Sequence, residues 1–333
     1  MTVDYELEDF LVDADLADWG EPQIWTPLTG GISSDIWRVD LPGRTICVKR
    51  AVETLRSQAE WHAPEDRNIY EWRWFKAVRL RFPDAAPEPL ALDEHHRLLA
   101  MAFLPPKTHP LWKAELLAGR VDAGFAGQVG RRLGQIHAFT AADPDWAEEF
   151  PSGESFHALR IDAYLLAAAR AQPAVAPALE ALAARTEATR LALVHGDVSP
   201  KNILVGPKGP VFLDAETAWW GDPAFDVAFC LNHLLLKRLV VKGGAEALNA
   251  SFSAFARAYL AEVDWEPPAA LEARAASLLP GLMLARVDGK SPVEYVTTDA
   301  QRDLVRRTAF PLLLDPPAAL EAVRAAWDRS LTQ

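Results

Sequence analysis

Apolar and polar residues alternate along the first third of the chain. The runs "QIWTPL", "DIWRVDL" and "TICVKRA" each read as a strand, with "TGGISS" and "PGR" between them as turns. From about Ser57 to Phe82 the apolar positions Trp61, Ile69, Trp72, Phe75 and Leu80 predict a helix. The runs "EPLALDE" and "RLLAMAFL", joined by "HH", return to strands before Pro105-Pro106 breaks the pattern. Beyond it the pattern becomes helical. It predicts helices over Phe125–Phe139, Ala158–Ala171, Pro177–Arg190, Pro223–Leu239, Ala245–Glu262 and Pro268–Leu279. Only the segment from 192 to 214 reverts to short strands. The expectation is an α+β, two-lobed fold. Residues 1–104 form a small sheet-rich lobe with one long helix, and residues 105–333 form a larger, mainly helical lobe. Such a joint is a natural place for a ligand cleft.

The stretch "ALVHGDVSPKNILV", residues 192 to 205, stands out in this second lobe. Two short apolar runs bracket His195, Asp197, Ser199, Lys201 and Asn202, and Gly196 and Pro200 mark a tight loop. A second polar site follows in "GPVFLDAETAWWGDP", where Asp214 closes an apolar run and Glu216 comes just after. Neighbouring strands would carry Asn202 and Asp214 out at adjacent ends. An amide oxygen and a carboxylate are hard ligands suited to Mg2+. Asp197, on the same loop, can accept a proton from a hydroxyl. A base and a pair of metal ligands are the minimal equipment for moving a phosphoryl group. In the first lobe the turn "TGGISS" offers Gly30, Gly31, Ser33 and Ser34, whose N–H groups and hydroxyls suit phosphate oxygens. Lys49 lies among apolar neighbours on the next strand and needs a partner, for which Glu71 fits better than Glu60 or Glu65.

These motifs resemble the aminoglycoside phosphotransferase and choline kinase group of kinase-like small-molecule phosphotransferases. "HGDVSPKN" resembles that group's HGD-x-x-x-x-N catalytic loop, "LDAE" its metal-binding Asp segment, and "GDPAFDVA" the motif that follows it. The resemblance implies a protein-kinase-like fold and ATP-dependent transfer of the γ-phosphoryl group to a small-molecule hydroxyl, with ATP and Mg2+ bound. It makes Asp197 the catalytic base or hydroxyl-orienting residue, and Asn202 and Asp214 the metal ligands. Lys49 then holds phosphates and Glu71 orients it. In "AMAFLP" the backbone of Ala102 to Leu104 faces adenine. Two positions depart from the family pattern: Lys201 stands where Gly is usual, and Ala102 where an acidic residue is usual. The alternative class is a catalytically silent nucleotide-binding or regulatory protein on the same fold.

Several residues carry a plain structural reading beside a functional one. His195 and Asp226 read as anchors of the loop. Glu216 is either a further metal ligand or a turn residue. Trp219 and Trp220 either stack on substrate or fill core. "DGKS" is not a phosphate-binding loop, since Leu284 stands where the motif needs glycine and Pro292 follows at once. Arg286, Asp288 and Lys290 either face the acceptor or form a charged helix end. Their mixture with Glu294 argues against a polycation site and for a small neutral or zwitterionic acceptor.

The net charge of −12 argues against a broad nucleic-acid surface. Cys47 and Cys230 lie far apart in apolar runs, which fits free buried thiols rather than a disulfide framework. The acidic start "MTVDYELEDF" lacks signal-peptide features and no apolar run reaches membrane-spanning length, so a cytoplasmic protein without membrane partners is expected.

Overall fold

The alternating runs of the first third pair into an antiparallel sheet, and two of them turn Val39, Leu41, Ile46 and Val48 to one apolar face. In the computed structural model, which describes residues 5–28, 34–52 and 66–332, this sheet holds β1 (Ile24–Pro27), β2 (Ser34–Leu41), β3 (Arg44–Ala51), β4 (Pro89–Asp93) and β5 (Leu98–Ala102). Their order is β1-β2-β3-β5-β4. Gly30, Gly31 and Ser33 lie outside the described residues, as do Glu60, Trp61, Glu65 and the start of the expected long helix. The described part of that helix is α2 (Arg67–Arg81).

Period-two geometry sorts β3. Ile46 and Val48 face one side, where Leu7, Phe10 and Leu11 of α1 (Tyr5–Asp13) cover them. Cys47 and Lys49 face the other side, toward the cleft. The turn between β2 and β3 pairs Leu41 with Arg44, and Gly43 takes φ 80°, a value that favours glycine.

Past the sheet come α3 (Trp112–Leu117), α4 (Ala123–Ala141), and the short helices α5 (Trp146–Glu149) and α6 (Gly153–Phe156). A π-helical stretch, His157–Leu166, runs on into α7 (Ala167–Ala171), and α8 (Ala176–Ala188) follows. A β insert comes next: β6 (Ala192–Val194) pairs with β9 (Trp219–Gly221), and β7 (Ile203–Gly206) with β8 (Gly209–Phe212). The chain ends with α9 (Ala224–Lys237), α10 (Ala245–Leu260), α11 (Pro268–Asp288), α12 (Asp299–Leu314) and α13 (Leu320–Thr332). The helix expected to stop at Leu279 continues through Pro280 to Asp288. A proline there forfeits one backbone bond, and burial of the whole stretch from Ala275 to Arg286 holds the helix together. Among the described residues no helix is long and apolar enough to cross a membrane.

Helices α4 and α10 approach closely at glycine. A Cβ on Gly130 would sit 2.3 Å from the Phe255 carbonyl oxygen, and one on Gly134 would sit 3.0 Å from that of Tyr259. Backbone cannot yield cheaply, so Gly130→Ala is expected to cost about 1–3 kcal/mol. Urea denaturation measures this, and an unchanged midpoint would show that the helices part freely.

Helix α9 is buried along its whole length, Lys237 included. Burial, and then the charge of Lys113, push Lys237 down to about 7 against the pull of Glu294. The folded state therefore binds this proton less tightly than the unfolded chain. The penalty is full below pH 7 and fades as pH rises toward the ordinary lysine value. Lys237→Met should raise Tm by about 3 °C or more at pH 6.5, with the gain shrinking by pH 9.5. A gain that grew with pH would contradict this placement of the charge.

Candidate active site

The loop after β6 is pinned from behind. Asp226, fully buried at the start of α9, accepts the N–H groups of His195 (2.8 Å) and Gly196 (2.9 Å). Gly196 has φ 78°, and a Cβ there would lie 2.6 Å from the Thr217 carbonyl oxygen, so no other residue fits. The Nδ1 of His195 accepts the Asp197 N–H at 3.1 Å, and Nε2 lies 3.0 Å from the Leu213 carbonyl. Those bonds require a neutral ring protonated at Nε2, and burial, against the pull of Asp226, lowers its pKa accordingly. His195 and Asp226 are therefore anchors.

Asp197 reaches the cleft with its two oxygens differently occupied. Oδ2 lies 3.0 Å from Arg160 Nη2 and 3.0 Å from Lys201 Nζ. Among the described residues Oδ1 is buried without a partner. A buried carboxylate oxygen with no donor can take one from a ligand. Asn202 donates Nδ2–H to the Asp197 carbonyl at 3.1 Å, which leaves its amide oxygen as the group to offer a ligand.

Asp214 follows β8 with φ 64°, a backbone state uncommon outside glycine. Its N–H donates to Glu71 Oε1 at 3.1 Å, which helps hold that state. Lys49 Nζ lies 2.7 Å from Glu71 Oε2, 2.5 Å from Asp214 Oδ1 and 3.8 Å from Glu216 Oε2. Glu216 also lies 3.4 Å from Arg67 Nε. Burial opposes the charge on Lys49, but Asp214, Glu71 and Glu216 outweigh it and keep the ammonium protonated. Burial also pushes Asp214 up, yet Lys49 and then Lys201 hold it well below the usual carboxylate range. One ammonium serves both carboxylates. Glu71, the deeper of the two, is pushed up to about 7 by burial against the pull of Lys49.

Around Lys49, carboxylates outnumber cations among the described residues: Glu71, Asp214 and Glu216 face Lys49 and Arg67. That surplus, with Asn202 and Asp214 both lining the cleft, fits a divalent cation. No group of three or more His, Cys, Asp or Glu among the described residues could hold a metal unaided.

The cleft encloses about 500 Å3, within the range of small-ligand sites. Ala102 and Leu104 line it, as do Lys201 and Glu216. The Ala102 N–H is taken up by the Glu88 carbonyl at 2.8 Å. Phe103 lines the cleft between Ala102 and Leu104. Ser34 is buried, its hydroxyl has no partner among the described residues, and it is not part of the cleft wall that the described residues form.

Three residues left open between acceptor contact and a structural role take the structural one. Trp219 is 1% exposed and stacks on Phe156 at 4.1 Å between ring centres, because pairing with β6 turns it into the core. Lys290 is drawn outward to Asp162 at 2.7 Å. Arg286 is buried behind the wall, bonded to Tyr164 and Ser291. The sequence reading missed Arg160. Its one cue was a lone arginine in the apolar run "HALRIDAYLL", and no spacing tied it to Asp197.

Residues 24–271 match the profile of the Phosphotransferase enzyme family. Methylthioribose kinase 1 of Oryza sativa subsp. japonica is 22% identical over 235 residues, covering 62% of this chain and 54% of the relative, so the match spans about half of that protein's length. Amicoumacin kinase hAmiN, solved in complex with AMP-PNP, Ca2+ and Ami, superposes with TM-score 0.58 at 15% identity over 95% of each chain. A choline/ethanolamine kinase family protein from Mesorhizobium loti gives TM-score 0.51 at 16% identity, over 98% of this chain and 99% of that one. At these identities the solved structures speak for the fold, which is kinase-like and two-lobed. With the profile covering well over half of its length, the chain belongs to the phosphotransferase enzyme family.

Proposed function

We propose that this chain transfers the γ-phosphoryl group of ATP to a hydroxyl of a small molecule bound in the cleft. The observation that carries the reading is the bare Oδ1 of Asp197 in the same cleft as Lys49, Asn202 and Asp214. Residues 1–104 then serve the nucleotide, with adenine against the Phe103–Leu104 edge and phosphates on Lys49. Residues 105–333 supply the catalytic loop and the acceptor's walls.

In this reading Asp197 Oδ1 accepts the hydrogen bond of the acceptor hydroxyl and points its oxygen at phosphorus. The ion pairs on Oδ2 fix the rotamer of the carboxylate. Its main work is alignment. That suits a loose transition state in which the nucleophile needs little activation. Glu71 keeps Lys49 extended toward the phosphates. Mg2+, held by Asn202 and Asp214, would supply charge compensation to the phosphoryl oxygens.

The test is a thermal shift with Mg-ATP followed by ADP release over a panel of sugars, amino alcohols, hydroxy acids and aminoglycosides. Stabilisation by Mg-ATP, with ADP release that depends on one acceptor class, is expected. Stabilisation without turnover on any acceptor would mark a nucleotide-binding protein instead.

A further inference from the structure

The charged residues of the late segment sort into partners. Asp288 pairs with Arg306 at 2.7 Å, Lys290 with Asp162, and Glu294 with Lys113. Arg286 is left. It is 7% exposed, has no carboxylate partner among the described residues, and its Nε is buried without an acceptor. Its Nη1 donates to the Tyr164 hydroxyl at 2.9 Å and to the Ser291 hydroxyl at 3.0 Å. Both residues line the cleft.

That arrangement sets the polarity of the two hydroxyls. Each accepts from a guanidinium, so each keeps its own hydrogen to donate. Neither has an acceptor among the described residues. Burial would raise the Tyr164 phenol, but Arg286 and then Arg160 outweigh it and bring it below its ordinary value, which makes it a stronger donor. Arg160 lies over the Tyr164 ring at 5.7 Å and also holds Asp197, so these donors stand beside the catalytic loop. Lys113 and Lys201 line the same cleft. Arg160 and Lys201 share the single carboxylate of Asp197, while Lys113 has the exposed Glu294. This end of the cleft therefore carries surplus positive charge, whereas the Lys49 end carries surplus negative charge.

We propose that the hydroxyls of Tyr164 and Ser291, charged from behind by Arg286 and flanked by Lys113 and Lys201, form an oxyanion subsite, so that the acceptor carries a carboxylate or phosphate beside its reacting hydroxyl. The inference rests on the phosphotransferase reading above and narrows its acceptor. A zwitterion with a carboxylate satisfies the subsite. A neutral alcohol leaves buried donors unpaired, and a polycation meets like charge.

Saturation-transfer NMR on the full chain tests it, with and without Mg2+ and AMP-PNP. Glycerate is compared with glycerol, gluconate with sorbitol, and glucose 6-phosphate with glucose, with kanamycin as the cationic control. At least one anion is expected to bind tenfold or more tightly than its neutral partner, and the carboxylate and phosphate arms show which oxyanion is preferred. Ser291→Ala and Tyr164→Phe should each weaken that anion by about tenfold, with melting curves confirming the fold. Neutral partners equal to every anion, or kanamycin the tightest ligand, would overturn the subsite and leave the phosphotransferase reading standing. Variants that weakened AMP-PNP as much as the anion would assign the donors to the nucleotide and overturn it too. Anion preference in a chain indifferent to AMP-PNP would support the subsite and defeat the phosphotransferase reading alone.

Discussion

Asp197→Asn is expected to lower turnover by about 10²-fold or more, the scale of losing a positioned proton acceptor. The geometry makes the reason specific. Arg160 and Lys201 both require an oxygen at the Oδ2 position. An asparagine would satisfy them with its carbonyl and place its NH2 where Oδ1 now stands bare. The acceptor hydroxyl would then meet a donor in place of an acceptor. Because Asp197 serves the acceptor, titration calorimetry should find Mg-ATP affinity within a few-fold of wild type. Turnover close to wild type in a folded Asp197→Asn protein would remove Asp197 from the mechanism.

The second large effect is expected at Asp214. Its carboxylate is shared between Lys49 and the place proposed for Mg2+, and the cations around it hold it charged at any working pH. Asp214→Ala removes the charged metal ligand and the Lys49 partner at once. It also puts alanine at φ 64°, where it fits poorly. Turnover should fall by about 10³-fold, and the Mg2+ concentration for half-maximal nucleotide binding should rise at least tenfold. Asn202→Ala should be milder, since it removes an amide dipole and not a charge. An unchanged Mg2+ titration in Asp214→Ala would show that the metal does not sit there.

Much of this was legible in the chain because the chemistry lies in one short run. The motif from His195 to Asn202 and the segment from Asp214 to Asp226 are local, so their spacing carries through to the folded cleft. Lys49 was legible from its apolar strand, and Glu71 from the helix behind it. Helix α1 was not predicted. Its acidic residues masked the Leu7, Phe10 and Leu11 stripe that covers the sheet. Arg160, Tyr164 and Ser291 were also missed, since they meet only when the π-helical stretch packs against the end of α11. Arg286 and Lys290 looked alike in sequence. Packing separated them, sending one inward to two hydroxyls and the other outward to Asp162. Trp219 stayed open between two readings because an aromatic just after Asp214 looks the same in sequence whether it faces ligand or core.

The central claim is that phosphorus passes from ATP to an acceptor oxygen aligned by Asp197. The most direct test supplies the protein with ATP carrying 18O in its γ-phosphoryl group, together with Mg2+ and a small-metabolite extract, and follows the label by mass spectrometry. The account predicts a metabolite that gains the labelled phosphoryl group on an unlabelled bridging oxygen, formed by wild type and lost with Asp197→Asn. Label that reached only inorganic phosphate, or a labelled metabolite formed equally by Asp197→Asn, would contradict it.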